Sequence, residues 1–595
     1  MLRDQLKLDY VTLSHESVSI PDSTWRRTVR VALVCDAAPQ LLTPLFKALF
    51  ARQGIGAEMY EAAIGTAELE LFDDHSGLHA FTPDTVVIAN ATFALRDRYY
   101  AFAGDPGRFV EDEMDRARSL WSAVADRGGA SIVQMNYVIP HERLFGNYDA
   151  RMARSLSWVA AALNDQLAQA AGARHDVFMC DIDYVAAYHG RKTCLDEKMW
   201  LLAKAFCALE HLPHIVQSAI DIIRSLNGDG VKCVVLDLDN TLWGGIVGDD
   251  GVDGIRLGHL EDGDAYVQFQ RFLLALKQRG ILLAVCSKNE LDTARLPFRH
   301  HPDMVLREED IAVFVADWSS KADGVRRIRD VLDISLSSMV FVDDNPFERG
   351  VVRDALPEVI VPELPDDPVD YVRCLTELNL FETTHYSELD ASRTDLYRVE
   401  AQRKVAERSF ASADEYLASL EMQITCMRFD SFHLPRIAQL LQRSNQFNVR
   451  TRRFSEAQCQ RFMDDTDNWL PLFFSLRDKY GDNGLISVIV ARLGTRTLAV
   501  EEWVMSCRVL ARGVEQFALN VLVTEARSRS IELVTARYEP TAKNRLVKDL
   551  FDRLGFRRVN ETPDGASDWE LDTASYQPRL THIALETTEA LHAAG

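Results

Sequence analysis

Two aspartates close an apolar run that reads Val234-Val235-Leu236-Asp237-Leu238-Asp239-Asn240-Thr241-Leu242. In an extended chain alternate side chains share a face. Carboxylates spaced i, i+2 at a strand's carboxyl end therefore project together, into the crevice where open α/β sheets bind ligands. A carboxylate placed there can attack phosphorus and form an aspartyl-phosphate, a role that suits Asp237. Asp239 can protonate the leaving oxygen and later activate the acceptor, help worth about 100- to 10,000-fold. Three later pieces fit the same site. The apolar run 281–286 ends at Ser287, with Lys288 and Asn289 after it, and a hydroxyl there can hold a phosphoryl oxygen. Lys321 opens a helix after Asp317-Trp318-Ser319-Ser320, where a cation can neutralise charge between nucleophile and phosphate. The run 339–342 ends in Asp343-Asp344-Asn345-Pro346. A carboxylate here can complete a hard-oxygen Mg2+ site with Asp237. Each piece alone is an ordinary cap or turn; all of them, at element ends and in this order, are hard to explain structurally.

These residues need a scaffold of buried parallel strands. Short apolar runs alternating with amphipathic stretches predict such a sheet, covered by helices on both faces. One series has strands near 29–35, 57–60, 85–90, 130–135 and 176–181 and helices near 41–53, 108–126 and 148–173. A second begins at 231–236 and contains the chemistry above. The expected organisation is a tail at 1–28, α/β domains at 29–226 and 227–385, a connecting helix at 386–420, a third α/β unit at 421–580 and a loose tail at 581–595. Neither the interval from Asp237 to Ser287 nor that from Ser287 to Lys321 has room for a large cap domain. The site is therefore expected to be open, with water excluded only by neighbouring domains or a partner.

Composition narrows the class. The 595 residues are 47% hydrophobic and 26% charged, as in soluble globular chains able to bury large cores. A net charge of −23 disfavours general nucleic-acid binding, which needs a basic footprint. No apolar run is long enough to span a membrane. The start, MLRDQLKLDYVTLSHESVSI, has acidic residues and no apolar core of a secretory signal. The ten cysteines are scattered without a CxxC, as in a reduced, cytoplasmic protein lacking disulfides and zinc clusters.

In order and spacing the central motifs resemble those of the haloacid dehalogenase (HAD) superfamily. That resemblance makes Asp237 the nucleophile, Asp239 the general acid/base and a backbone-carbonyl magnesium ligand, Ser287 the second-motif hydroxyl and Lys321 the third-motif cation. It makes Asp344 the preferred further metal ligand, with Asp343 the alternative. Thr241, Lys288 and Asn289 join them as phosphate or substrate contacts. The wording LDLDNTLWGGIVGDDGVDGIRLG, FQRFLLALKQRGILLAVCSKNE, HPDMVLREEDIAVFVADWSSKADGVRRI and FVDDNPFERGVVRDALPEV resembles more specifically the FkbH-like family, HAD subfamily IIIC. The resemblance implies action on 1,3-bisphosphoglycerate or a similar phosphorylated three-carbon acid. Phosphate would be removed and the glyceryl group loaded onto a phosphopantetheinylated acyl carrier protein for polyketide biosynthesis.

Beyond residue 421 a strand, a tight turn near Arg512-Gly513 and a helix follow one another in VMSCRVLARGVEQFALNVL. Exposed N–H groups at such a helix start can bind an anion. The run Arg508-Val509-Leu510-Ala511-Arg512-Gly513 resembles the pyrophosphate loop of GNAT-type acyltransferases with one glycine replaced by Val514 or Ala511, and Asn544 with Leu554-Gly555-Phe556 also resembles that fold; the resemblance makes Arg508, Arg512, Gly513 and Asn544 phosphate or substrate contacts. A GNAT-like domain would hold a pantetheine arm between two splayed strands. Acyl transfer through a thioester needs a thiolate. Cys507 ends the strand beside the anion loop, where Arg508 can lower its pKa. Cys286 is the rival, and plain packing of both is the third reading. Arg477, Asp478 and Asn445 are polar residues that either line the acyl pocket or cap turns. The first domain resembles an SGNH-hydrolase fold without its serine, since the position after the first strand reads Val34-Cys35-Asp36-Ala37 and no late Asp-x-x-His follows. A docking or lid role is expected there, with Cys35 as a replacement nucleophile the lesser reading. Two further readings of the whole chain are a stand-alone magnesium phosphatase and a scaffold with a vestigial core.

Overall fold

The computed structural model describes residues 9–20, 25, 27–126, 130–259, 262–384, 386, 410, 412–444, 446–454, 456–506, 509–541 and 544–586. The chain divides into two compact units, residues 1–393 and 394–595.

The first unit holds two parallel sheets. Helix α1 (Tyr10–Val18) comes first, capped by the Asp9 side chain. The sequence reads this stretch as part of a polar tail, but Leu13 is fully buried in the first core and Glu16 pairs with Arg52 at 2.8 Å. Next come β1 (Thr28–Cys35), α2 (Thr43–Arg52), β2 (Gly56–Glu61), β3 (Thr85–Ala89), α3 (Pro106–Ala125), β4 (Ser131–Met135), α4 (Leu156–Gly172), β5 (Val177–Cys180) and α5 (Leu212–Leu226). The strand order is β2-β1-β3-β4-β5, parallel throughout. Separate apolar clusters lie on its two faces.

The second sheet is built from β6 (Cys233–Leu236), α6 (Gly263–Gln278), β7 (Leu282–Ser287), α7 (Leu291–His300), β8 (Ile311–Ala316), α8 (Lys321–Leu332), β9 (Met339–Val342) and α9 (Pro346–Ala355). Its order is β8-β7-β6-β9, again all parallel. Every residue of β6, β7 and β9 is buried, as expected of strands covered on both faces. All four strands point their carboxyl ends to one edge. Between β6 and α6 the described chain forms a short helix, Val247–Asp250, and two isolated bridges, Asp239 with Trp243 and Gly244 with Arg256. Among the described residues no cap domain interrupts the core.

The second unit is less purely α/β than its sequence suggested. It contains β10 (Met422–Arg428), α10 (Leu434–Arg443), α11 (Glu456–Asp464), β11 (Trp469–Asp478), β12 (Gly481–Leu493), β13 (Thr497–Met505), α12 (Val514–Ser528), β14 (Leu533–Tyr538), β15 (Arg557–Glu561), β16 (Ser567–Asp572) and β17 (Ile583–Leu585). They form one sheet ordered β15-β16-β14-β13-β12-β11-β10-β17. Only β13–β14 and β10–β17 are parallel; the rest pair antiparallel. The expected loose tail from 581 is corrected here, because Ile583–Leu585 adds an edge strand to β10. Most of the connecting helix expected at 386–420 lies outside the described residues. Near its end, Ala413–Ser419 is helical.

Candidate functional site

The edge shared by the ends of β6, β7, β8 and β9 collects the motif residues. Lys321 is the first residue of α8, set there by Ser320, whose hydroxyl caps the helix. Its ammonium is 2% exposed and lies 2.6 Å from Asp237 Oδ1 and 3.1 Å from Asp343 Oδ2. It also donates to the Cys286 carbonyl at 2.9 Å. Burial alone would lower its pKa, but the charges of Asp237 and Asp343 raise it, so the lysine stays protonated. Asp343 is fully buried. Burial, with the like charge of Asp237, pushes its carboxyl up to about 7 against the pull of Lys321.

Asp237, Asp343 and Asp344 each offer an oxygen within 4.8 Å of the others'. Asp237 Oδ1 and Asp343 Oδ2 are buried and have no hydrogen-bond partner beyond the ion pair with Lys321. An all-oxygen, carboxylate-rich donor set with spare acceptors and crowded like charge suits a hard divalent cation. Both aspartates of the pair after β9 are thus brought to the cluster. Asp239 gives that cluster no carboxylate oxygen. Its Oδ1 accepts from Trp243 Nε1 and from the Val247 N–H, both at 3.0 Å, and its Oδ2 accepts from Asn289 Nδ2 at 3.2 Å. Burial raises its pKa against those hydrogen bonds, the direction a general acid needs.

Three expected phosphate contacts are engaged elsewhere. Thr241 is fully buried; its hydroxyl donates to Asp344 Oδ1 at 3.2 Å and accepts from the Asp344 N–H at 3.1 Å. It orients a carboxylate. Lys288 bonds Glu348 Oε1 at 2.6 Å, and Asn289 bonds Asp239. Ser287 ends β7 on the site edge and is buried. Cys286, one residue earlier, points to the other face: a Cβ at Gly324 would sit 2.4 Å from its Sγ. Burial pushes that thiol up to about 12, against the thiolate that a thioester station needs. Sequence reasoning missed Trp243 and Val247, which hold Asp239, and Arg349, whose Nη1 donates to the carbonyls of Asp343 (2.9 Å) and Asp344 (2.7 Å). An arginine one turn into the helix after an Asp-Asp-Asn-Pro turn was the available signal.

In the second unit, Cys507, Arg508 and Asn445 lie outside the described residues. Gly513 takes a left-handed φ of 82° at the start of α12, and Ala511, one of the two positions where the resemblance allows a missing glycine, is left-handed too, at 61°. Arg512 is buried beside the fully buried Asp478 at 3.4 Å, a structural pair, so its expected anion-binding role is corrected. Asn544 is likewise corrected. It is fully buried, and its amide donates to the carbonyls of Asn448 (3.0 Å) and Glu539 (2.8 Å). β13 and β14 pair only from Thr497–Leu533 to Val500–Ala536. Beyond that, the chain's own segment 447–449 joins them. Val449 N–H donates to Trp503 O (3.2 Å), Met505 N–H to Phe447 O (3.1 Å) and Glu539 N–H to Val449 O (2.9 Å). The gap expected to take a pantetheine arm is therefore bridged by backbone.

In the first domain, Cys35 is buried and its thiol is pushed far up by burial and by the neighbouring Asp36 charge, an environment that opposes the thiolate a nucleophile needs. Asp36 accepts from the Ala91 N–H at 2.6 Å and pairs with Arg98 at 3.1 Å.

A parallel sheet whose strand ends bring together two aspartates spaced i, i+2, a serine, a buried lysine and two further aspartates defines a phosphatase domain of the HAD type. Residues 30–224 match the model described as FkbH, N-terminal domain. The crystal structure of the N-terminal part of protein BF1531 from Bacteroides fragilis, which contains a phosphatase domain and is complexed with Mg, is 37% identical. The match covers 63% of this chain and 99% of that one, with a TM-score of 0.58. At that identity over nearly all of the relative, the chain belongs to the family of this phosphatase-domain protein. The ribosomal-protein-S18-alanine N-acetyltransferase from Escherichia coli matches at 17% identity over 27% of this chain and 99% of that one, with a TM-score of 0.21. No curated protein matches the chain.

Proposed function

We propose that the chain is a bifunctional, magnesium-dependent enzyme of the cytoplasm. It removes the ester phosphate from 1,3-bisphosphoglycerate, or a similar three-carbon acyl phosphate, and loads the glyceryl group onto the phosphopantetheine thiol of an acyl carrier protein for polyketide biosynthesis. The observation that carries the phosphatase half is the buried Lys321 between Asp237 and Asp343, with Asp344 beside them. Asp237, Asp343 and Asp344 would hold Mg2+, which would supply positive charge to the phosphoryl oxygens. Asp237 attacks phosphorus, and the ester oxygen leaves with the proton of Asp239. Water then attacks the aspartyl-phosphate and returns a proton to Asp239. Lys321 and Ser287 hold the phosphoryl oxygens. For loading, a thiolate of the protein attacks the acyl carbon, the acyl C–O bond breaks and inorganic phosphate departs; the carrier thiolate then attacks that thioester and releases the protein's thiolate. Cys507 is the proposed station for that thioester.

The bridged gap between β13 and β14 favours a second reading, in which the phosphatase acts alone on a small phosphorylated metabolite. One experiment separates the two. The protein is incubated with Mg2+, 1,3-bisphosphoglycerate and phosphopantetheinylated carrier protein, and the carrier is weighed by intact mass spectrometry. A glyceryl adduct supports the bifunctional enzyme. Phosphate release without an adduct supports the phosphatase alone. Neither product overturns both for this substrate. Asp237→Asn is expected to abolish phosphate release, and Cys507→Ala to abolish loading.

A further inference from the structure

The loop that follows Ser287 makes an unusual set of contacts. Three consecutive side chains each reach a different one of the other three loops at the site edge. Lys288 Nζ pairs with Oε1 of Glu348, at the start of α9 after the Asp343–Asp344 pair, at 2.6 Å. Asn289 Nδ2 donates to Oδ2 of Asp239, after β6, at 3.2 Å. Glu290 Oε1 accepts from Nε1 of Trp318, in the turn between β8 and Lys321, at 2.9 Å. The backbone adds a fourth tie, from the Asp317 N–H to the Ser287 carbonyl at 3.2 Å. The Trp318 loop is itself braced, since Arg327 bonds both the Asp317 carboxylate and the Ser319 hydroxyl at 2.7 Å.

Each tie is polar. Asn289 is buried, and Glu348 is buried beneath Lys288. Trp318 is 69% exposed, so its place is set by the Glu290 hydrogen bond and its braced loop rather than by core packing. Among the described residues no cap domain presses these loops into register, and a misplacement of about 1 Å can cost on the order of 100-fold in rate.

We propose that Lys288, Asn289 and Glu290 are positioning residues that lock the serine loop to the aspartate, lysine and metal-ligand loops, taking over the registering role that a cap domain would otherwise serve. This rests on the phosphatase reading of the same site. Lys288 and Glu290 touch no reacting group and act through Glu348 and Trp318, while Asn289 acts through the Asp239 carboxylate that it holds at Oδ2.

The test uses the full chain with Mg2+ and p-nitrophenyl phosphate as the probe. Asn289→Ala and Glu290→Ala are each expected to lower kcat about 10- to 100-fold with KM changed less than about threefold. Trp318→Phe, which lacks the indole N–H, is expected to match Glu290→Ala. Glu290→Gln keeps an acceptor for that N–H and is expected to retain wild-type kcat. Wild-type kcat in Glu290→Ala and Trp318→Phe, or a Glu290→Gln variant as slow as Glu290→Ala, overturns the proposal. A wild-type protein that releases no phosphate from the probe counts against the phosphatase reading itself. The positioning role is then read from amide hydrogen exchange over residues 286–291. Faster exchange in Glu290→Ala but not in Glu290→Gln supports it, and unchanged exchange in both overturns it.

Discussion

Lys321 sits between two carboxylates in a place water barely reaches, and its ammonium balances their charge there. Removing one partner of a buried ion pair costs about 3–5 kcal/mol, because the remaining charge stays desolvated. Lys321→Met is expected to destabilise the first unit by about that much, with part of the loss recovered on adding Mg2+, a second source of positive charge. Chemical denaturation with and without the metal checks both halves. A different charge governs the second unit. Glu502 is fully buried, and its carboxylate accepts from the N–H groups of Arg450 (3.3 Å), Arg452 (2.8 Å) and Trp503 (2.9 Å). Burial nonetheless raises its pKa from 4.5 to about 7. A carboxyl raised on folding leaves stability intact below its unfolded value and lowers it as pH rises through the folded value. The wild type is expected to lose about 3 kcal/mol relative to Glu502→Gln between pH 4.5 and 7.5. A wild-type-minus-variant difference that stays flat across this range would falsify the assignment.

Helix α8 delivers Lys321 only because it lies close against β7, and Gly324 is the point of contact. A Cβ there would stand 2.4 Å from Cys286 Sγ. Gly324→Ala is therefore expected to shift the helix, cost about 1–3 kcal/mol and lower phosphate release by moving Lys321. Cys286→Ala removes the obstructing sulfur and is expected to restore both stability and activity in the double variant. Failure of that rescue, measured by kcat and denaturation midpoint, shows the contact to be unimportant. In the second unit, Asn544 secures the segment bridging β13 and β14. Asn544→Ala leaves buried carbonyls unpaired, at about 1–3 kcal/mol, and is expected to speed amide exchange at Met505 and Glu539. If a pantetheine arm uses that gap, the same variant raises the initial rate of carrier loading.

Across the whole chain, the metal and the titrating carboxyl belong to different compact units. Mg2+ at about 100 times its Kd is expected to stabilise the first unit by about 2.7 kcal/mol and to leave the Glu502-dependent unfolding of the second unchanged. Calorimetry that resolves the two transitions checks this; a metal shift in the Glu502-sensitive transition contradicts it. The excess of acidic residues, net −23, does not alter that expectation, because charges more than a Debye length apart are screened at physiological salt.

Local pattern alone was enough to place Asp237, Asp239, Ser287, Lys321, Asp343 and Asp344 at strand and helix ends, because a buried parallel strand has a continuous apolar signature and its polar successors must emerge at one edge. It was also enough to turn Cys286 away from Ser287, since adjacent residues of a strand face opposite ways. Pattern could not tell which polar side chains face the phosphate and which face each other. Thr241, Lys288, Asn289, Arg512 and Asn544 are of types that suit either role, and their partners, Asp344, Glu348, Asp239, Asp478 and Asn448, are mostly tens of residues distant. Those pairings are set by which strand lies beside which and by how near the helices approach, and so only the tertiary structure decided them.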